Sequence, residues 1–263
     1  DVMRQGEGID SPYGPHLWLD IRNLGEEHLR TALLEVWDIC RDFLGRKPAK
    51  DLIPVRPTQH YSMGGIRVNK DGQAYGMRGL FAVGEAACWD MHGFNRLGGN
   101  SLAETIVTGR IVGRTVARFA AETPLEVDST LALAELAAAK ERAAEWLARE
   151  GNGRSVFEIR DVMGETMMQK VGIFRTGEEL DEAISDLSAL LDECNRAVLR
   201  CKDPGMNPEL SFALRIKGML RLAMTVARGA QARTESRGAH YRMDFPLRND
   251  RDWLNRTLVR WGR

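Results

Sequence analysis

The stretch CWDMHGFNRLGGNSLAETIVTG, residues 88–109, decides how the chain is read. A histidine, an asparagine, an arginine and paired glycines fall within a few residues, and a helix of apolar period follows. Gly98, Gly99, Asn100 and Ser101 form a small-residue turn at the start of that helix. Free backbone N–H groups and the positive end of the helix dipole gather at such a turn, which suits an anion or an electron-rich carbonyl. A plain cap from Asn100 or Ser101 accounts for the serine. It does not account for the paired glycines or for Arg96. Cap alone and ligand site both stay open at this point.

Upstream, MRGLFAVGEAA, residues 77–87, reads as a buried strand running into a glycine-marked turn. Glu85 stands just past it, where carboxylates often grip ligand hydroxyls; a solvated turn acid fits the position equally well. Further back, IPVRPTQHYSMGGIRVN, residues 53–69, has hairpin and turn grammar. There His60 stands beside Tyr61 and a Met-Gly-Gly turn. His60 and Arg96 together suit two carboxylates, the arginine by a bidentate fork and the histidine by a charge-assisted bond. His92 is a weaker candidate inside the dense motif, His16 and His240 are weaker still, and His28 reads as a surface residue.

At the amino end a short strand is expected over 16–21 and a helix over 25–43, with Leu29, Leu33, Val36 and Cys40 at helical spacing. The helix after the glycine turn should run from about Ser101 to Ala121. Residues 124–128 read as a linker. Helices are then expected over 129–150, 154–170, 177–200 and 208–235, punctuated by Asn152-Gly153, Gly172 and Pro204-Gly205. They predict an antiparallel helical bundle. Charged residues there, such as Glu178, Glu179 and Arg196, read as solvated faces. The tail returns to loop and strand character.

The chain has 263 residues, 43% of them hydrophobic, with 37 basic and 37 acidic side chains and no net charge. That size suits one large domain or two modest ones. The balance gives no nucleic-acid footprint. No apolar run reaches the length of a membrane span, so contact with a membrane is expected through a partner. The chain begins at Asp1, which reads as part of something longer. Its 4 cysteines, Cys40, Cys88, Cys194 and Cys201, form no CxxC pair, and no metal site is expected. Cys194 and Cys201 would lie near one helix face.

RPTQHYSMGGI, GLFAVGEAACWDMHGFNRLGGNSLAE and RTESRGAHYRMDFP, with SPYGPHLWLDI and WLNRTL, resemble the flavoprotein subunit of fumarate reductase and succinate dehydrogenase. The resemblance runs in order along essentially the whole chain, and its wording is most like the menaquinol-linked, anaerobe-type fumarate reductases. It implies an α/β plus α fold: the end of a capping domain over 1–53 and the last portion of a Rossmann-like FAD-binding domain over 54–123. A helical bundle over 124–235 and the start of a C-terminal domain over 236–263 follow. It implies that His60 and Arg96 bind substrate, that Glu85, Ser101 and Leu102 contact FAD, and that Asn100 helps, with Tyr61, His92, Gly98 and Gly99 as secondary candidates. The implied reaction interconverts fumarate and succinate by hydride transfer with flavin, a proton being delivered by an arginine. Implied partners are an iron–sulfur subunit and, through it, a membrane cytochrome b or quinone subunit. The implied location is the cytoplasmic face of a bacterial inner membrane, in electron transport.

Three family features are missing: the GxGxxG ADP-binding turn, the histidine that carries FAD covalently, and the proton-shuttle arginine, which would fall before Asp1. The chain thus reads as the C-terminal part of the subunit, inactive alone, and no arginine in it is assigned as the shuttle. The alternatives are two. L-aspartate oxidases look similar but usually carry cysteine where Met63 stands and a different turn at Gly98-Gly99. A non-catalytic helical interaction module would use residues 129–235. RTESRGAHYR could brace the flavin domain or an iron–sulfur partner.

Overall fold

The structure is a computed structural model that describes residues 6–11, 14–58, 60–124 and 128–260. The chain divides into two compact units, residues 1–60 and 61–263.

In the first unit β1 (Leu17–Leu19) is followed by α1 (Glu26–Thr31), α2 (Leu34–Leu44) and β2 (Ile53–Val55). The two strands pair antiparallel, with Leu17 opposite Val55. The expected helix over 25–43 is thus broken at Ala32–Leu33. Thr31 turns its hydroxyl back onto the carbonyls of Glu27 and His28, and Leu33 leaves the helical region at φ −124°. After the break Trp37 and Cys40 face inward with Leu29, and Arg30 lies 4.3 Å above the Trp37 ring. His28 is exposed.

The second unit opens with β3 (Ile66–Arg67) and β4 (Ala87–Cys88), a short parallel pair. The strand expected in GLFAVG does not form. Only Phe81 makes a bridge, to Gln73; a ladder needs a partner strand, and none of the described residues supplies one. Gly84–Ala86 instead forms a 3-10 turn that packs on α3 (Asn100–Glu122). The linker expected over 124–128 is described only at Pro124 and Asp128; residues 125–127 lie outside the described residues. Asp128 caps α4 (Ser129–Ala148) by accepting from the N–H groups of Thr130 and Leu131.

Three further helices follow: α5 (Val156–Lys170), then, after β5 (Phe174–Arg175), α6 (Gly177–Glu193), and α7 (Pro208–Ala232). These agree with the expected helices to within a few residues, except that α6 stops at Glu193. Cys194 is therefore a buried cap residue and Cys201 an exposed loop residue, not two positions on one helix face. Glu178 and Arg196 are exposed as expected, but Glu179 is not merely solvated. Its carboxylate closes a capping box with Thr176, satisfying two of the donors a helix start leaves over.

α5, α6 and α7 pack on one another, and α4 packs on α7. Val156, Ile159, Leu180, Leu187, Ile216 and Leu220 lose all contact with water at their centre. A smaller core of Val68, Ala82 and Ala87, with Trp89 against it, lies near β3 and β4. The tail adds β6 (Tyr241–Arg242), parallel to β5, and the single turn α8 (Asp250–Trp253).

Candidate functional site

The loop between β4 and α3 is held at several points. Asp90 adopts a left-handed φ of 64°, and its carboxylate pairs with Arg256. His92 places Nε2 2.7 Å from Glu104 Oε2. The Tyr61 hydroxyl donates to the same carboxylate oxygen at 3.2 Å, and the Tyr61 and His92 rings meet edge to face. Glu104 is only 4% exposed; a carboxylate that dry needs such partners. Burial, then the charge of Glu104, pushes the Tyr61 hydroxyl above its ordinary pKa.

Arg96 lies on this frame. Its guanidinium sits 4.6 Å from the centre of the Tyr61 ring, a cation–π arrangement. One terminal nitrogen donates to the Leu97 carbonyl at 3.1 Å. Nε is buried and has no hydrogen-bond partner. Buried donors left without partners are rare and call for a physical reason.

α3 begins on Gly99, in the left-handed region at φ 79°, and no side chain caps it. Neither Asn100 nor Ser101 is the cap: both are already helical. The left-handed turn that a glycine allows brings the chain into the helix directly, so the cap position carries no side-chain oxygen. Among the described residues the backbone N–H groups of Ser101 and Leu102 meet no acceptor. Leu102 is 71% exposed, and Gly98 and Gly99 have open space where a side chain would stand. An open groove of about 470 Å³ lies here, lined among others by Met91, His92, Leu97, Asn100 and Glu104.

Glu85 is exposed on its 3-10 turn, where one carboxylate oxygen accepts from the Ser62 N–H at 2.7 Å. Glu85 is therefore tied to the HYSMGG segment. His60 is the last residue of the first unit, is exposed, and makes no hydrogen bond among the described residues. The second unit thus brings Tyr61, Glu85, His92 and Arg96 into one connected set, with the open helix start after them. Sequence reasoning missed Glu104, the one acid of α3 before its last residue, Glu122. Among the described residues, no group of three or more histidine, cysteine or acidic side chains could hold a metal ion.

His16 and His240 differ. His16 is buried against Trp18, and neither ring nitrogen has a partner. His240 is fully engaged: Nδ1 faces Arg175 at 2.8 Å and Nε2 the Arg233 carbonyl at 3.1 Å.

Two protein families match separate parts of the chain. One, described as FAD binding domain, matches residues 2–102. The other, described as fumarate reductase flavoprotein C-term, matches residues 160–263. The fumarate reductase flavoprotein subunit of Helicobacter pylori is 42% identical, over 98% of this chain and 40% of its own length. The quinol fumarate reductase of Escherichia coli superposes with a TM-score of 0.87 at 36% identity, covering 96% of this chain and 43% of that one. A quinol-fumarate reductase solved with menaquinol gives 0.88 at 36% identity, covering 96% and 44%. The chain spans about 40% of the length of the curated relatives it matches.

Proposed function

This chain belongs to the fumarate reductase flavoprotein family, and we propose that, within a whole subunit, it supplies the substrate clamp and one wall of a flavin site that interconverts fumarate and succinate. Arg96 carries the reading. Its guanidinium is oriented by an aromatic floor, spends one nitrogen on its own loop, and keeps a buried Nε without a partner. A planar fork held that way suits a carboxylate, which takes parallel N–H donors. From its place in the HYSMGG motif, His60 is proposed as a second substrate-binding residue.

The residues also fit FAD. The uncapped N–H groups of Ser101 and Leu102 and the positive end of α3 favour an electron-rich carbonyl and negative charge on a reduced ring. Gly98 and Gly99, beside Asn100, leave room for that approach, and Glu85, exposed on its turn, is proposed to take a cofactor hydroxyl. FAD, when bound, supplies the hydride chemistry. The chain's own residues bind the dicarboxylate, orient it and polarise it, so that donors wait where charge develops. His92 and Tyr61 act through Glu104. No arginine of this chain is assigned the proton transfer.

The proposed partners follow from the same reading: an iron–sulfur subunit and, through it, a membrane quinone subunit on the cytoplasmic face of a bacterial inner membrane. No helix among the described residues is long and apolar enough to cross a membrane. We further assign the domain limits at 53, 123 and 235, and an antiparallel course to the packed helices.

The test uses the intact, FAD-loaded subunit. Arg96→Ala should lower fumarate reduction by about 10²- to 10³-fold, as expected for loss of one preorganised charge-stabilising group, while the flavin spectrum is retained. Undiminished turnover would overturn the clamp. Flavin reduced by aspartate and not by succinate would favour an aspartate oxidase instead.

A further inference from the structure

The stretch RTESRGAHYR, residues 233–242, is built to be stiff, yet the proposed chemistry does not use it. Glu235 is fully buried and takes five hydrogen bonds, from Arg233, Arg237 and the N–H of Asn249. Arg237 and His240 exchange both backbone hydrogen bonds, at 2.8 and 3.1 Å, which closes a tight turn. Gly238 is at its tip with a φ of +59°. A Cβ at Gly238 would overlap the Phe94 ring. Phe94 belongs to the HGFN turn, two residues before Arg96. Further along the tail, Arg256 pairs with Asp90 at the beginning of the same loop.

Asp90, His92 and Phe94 therefore alternate along the loop, and each meets a group from elsewhere. Asp90 and Phe94 meet the tail, and His92 meets Glu104 on α3. Such outside contacts determine how well a loop side chain keeps its geometry.

We propose that the Arg237–His240 turn and Arg256 are positioning elements for Arg96: they hold the HGFN loop through Phe94 and Asp90 and so set the affinity of the site for a dicarboxylate. The inference rests on the reading of Arg96 as the clamp. A side chain at Gly238 would have to displace the Phe94 ring and would itself stand at a left-handed φ.

The experiment uses the intact FAD-loaded subunit and malonate, a dicarboxylate that cannot be reduced, with binding read from flavin absorbance. Gly238→Ala should weaken malonate and raise the KM for fumarate by about tenfold or more, as small misplacements of a binding group do. FAD content should change little, and the melting temperature should fall by several degrees, as a side chain at a left-handed φ requires. Asp90→Arg and Arg256→Asp should each weaken malonate by about 2- to 5-fold, the scale of an exposed ion pair. The double variant, with the pair reversed, should recover. That rescue is a readout that a merely structural role would not give, and it holds even if Gly238→Ala fails to fold.

Folded variants that bind malonate as tightly as the wild type would overturn the proposal. So would variants that keep malonate affinity but lose an iron–sulfur subunit on co-purification, because the stretch would then serve partner docking. If the wild-type subunit itself neither binds malonate nor reduces fumarate, the proposed function falls and takes this inference with it. If the wild type does both, only this inference is at stake.

Discussion

Glu104 accepts from Tyr61 and faces His92 with the same oxygen, almost out of reach of water. Removing that acceptor would leave two donors without a partner in a dry place. Glu104→Ala is expected to lower the unfolding free energy by about 1–3 kcal/mol, the cost of stranded buried polar groups. Glu104→Gln, which keeps an acceptor, should cost less. Denaturant titration of the two variants measures the difference; equal stability of Glu104→Ala and wild type would show that the network is not holding the loop. His240 offers a second test. Burial holds its pKa below the usual 6.5. Both states are neutral above 6.5, so the residue makes no pH-dependent contribution there. As pH falls through 6.5 the unfolded chain takes up the proton first, and folding loses stability until the lowered folded pKa is passed. The geometry agrees: a proton on Nδ1 would face the Arg175 guanidinium. Between pH 7.5 and 5.5 the wild type should lose more stability than His240→Gln, and parallel pH profiles would refute the assignment.

At the scale of elements, α3 starts on a glycine in the left-handed region. Gly99→Ala has room for its methyl, so its cost is backbone strain alone, about 1–2 kcal/mol. A loss well below that, measured by denaturation, would mean that the turn can take another conformation. The paired glycines were legible in the sequence as a special turn. The absence of a side-chain cap was not, since Asn and Ser both carry capping oxygens. The long helices were legible because apolar period and glycine or proline punctuation agree there. Two elements were not. A helix over 25–43 satisfies the periodicity, but Trp37 is buried only after the chain turns at Leu33. GLFAVG has strand composition, but pairing depends on a neighbour that composition does not reveal. Arg96 and Glu85 stood out by residue type and place. Glu104, Phe94 and Gly238 act through contacts that sequence spacing does not show, one of them spanning from 94 to 238.

On the scale of the whole molecule, the second unit holds two cores of unequal size. The larger is centred on α5, α6 and α7 and includes side chains with no access to water. The smaller has Val68, Ala82 and Ala87 with Trp89, and short β3 and β4 around it. Burying less apolar surface leaves less free energy to oppose local opening. Amides of residues 66–88 should therefore exchange with deuterium well before those of α6 and α7. Leu187→Ala should cost about 2–5 kcal/mol, as loss of a fully buried leucine side chain does. It should speed exchange in α5, α6 and α7 more than around β3 and β4. The tail makes a sharper distinction. It leaves α7, is pinned by Glu235 and Arg242, and reaches the HGFN loop at Phe94. If the bundle props the clamp through that path, Leu187→Ala should raise exchange at 90–97 before it raises exchange at 66–74. If both segments respond alike, or neither does, the bundle and the clamp are not coupled through the tail.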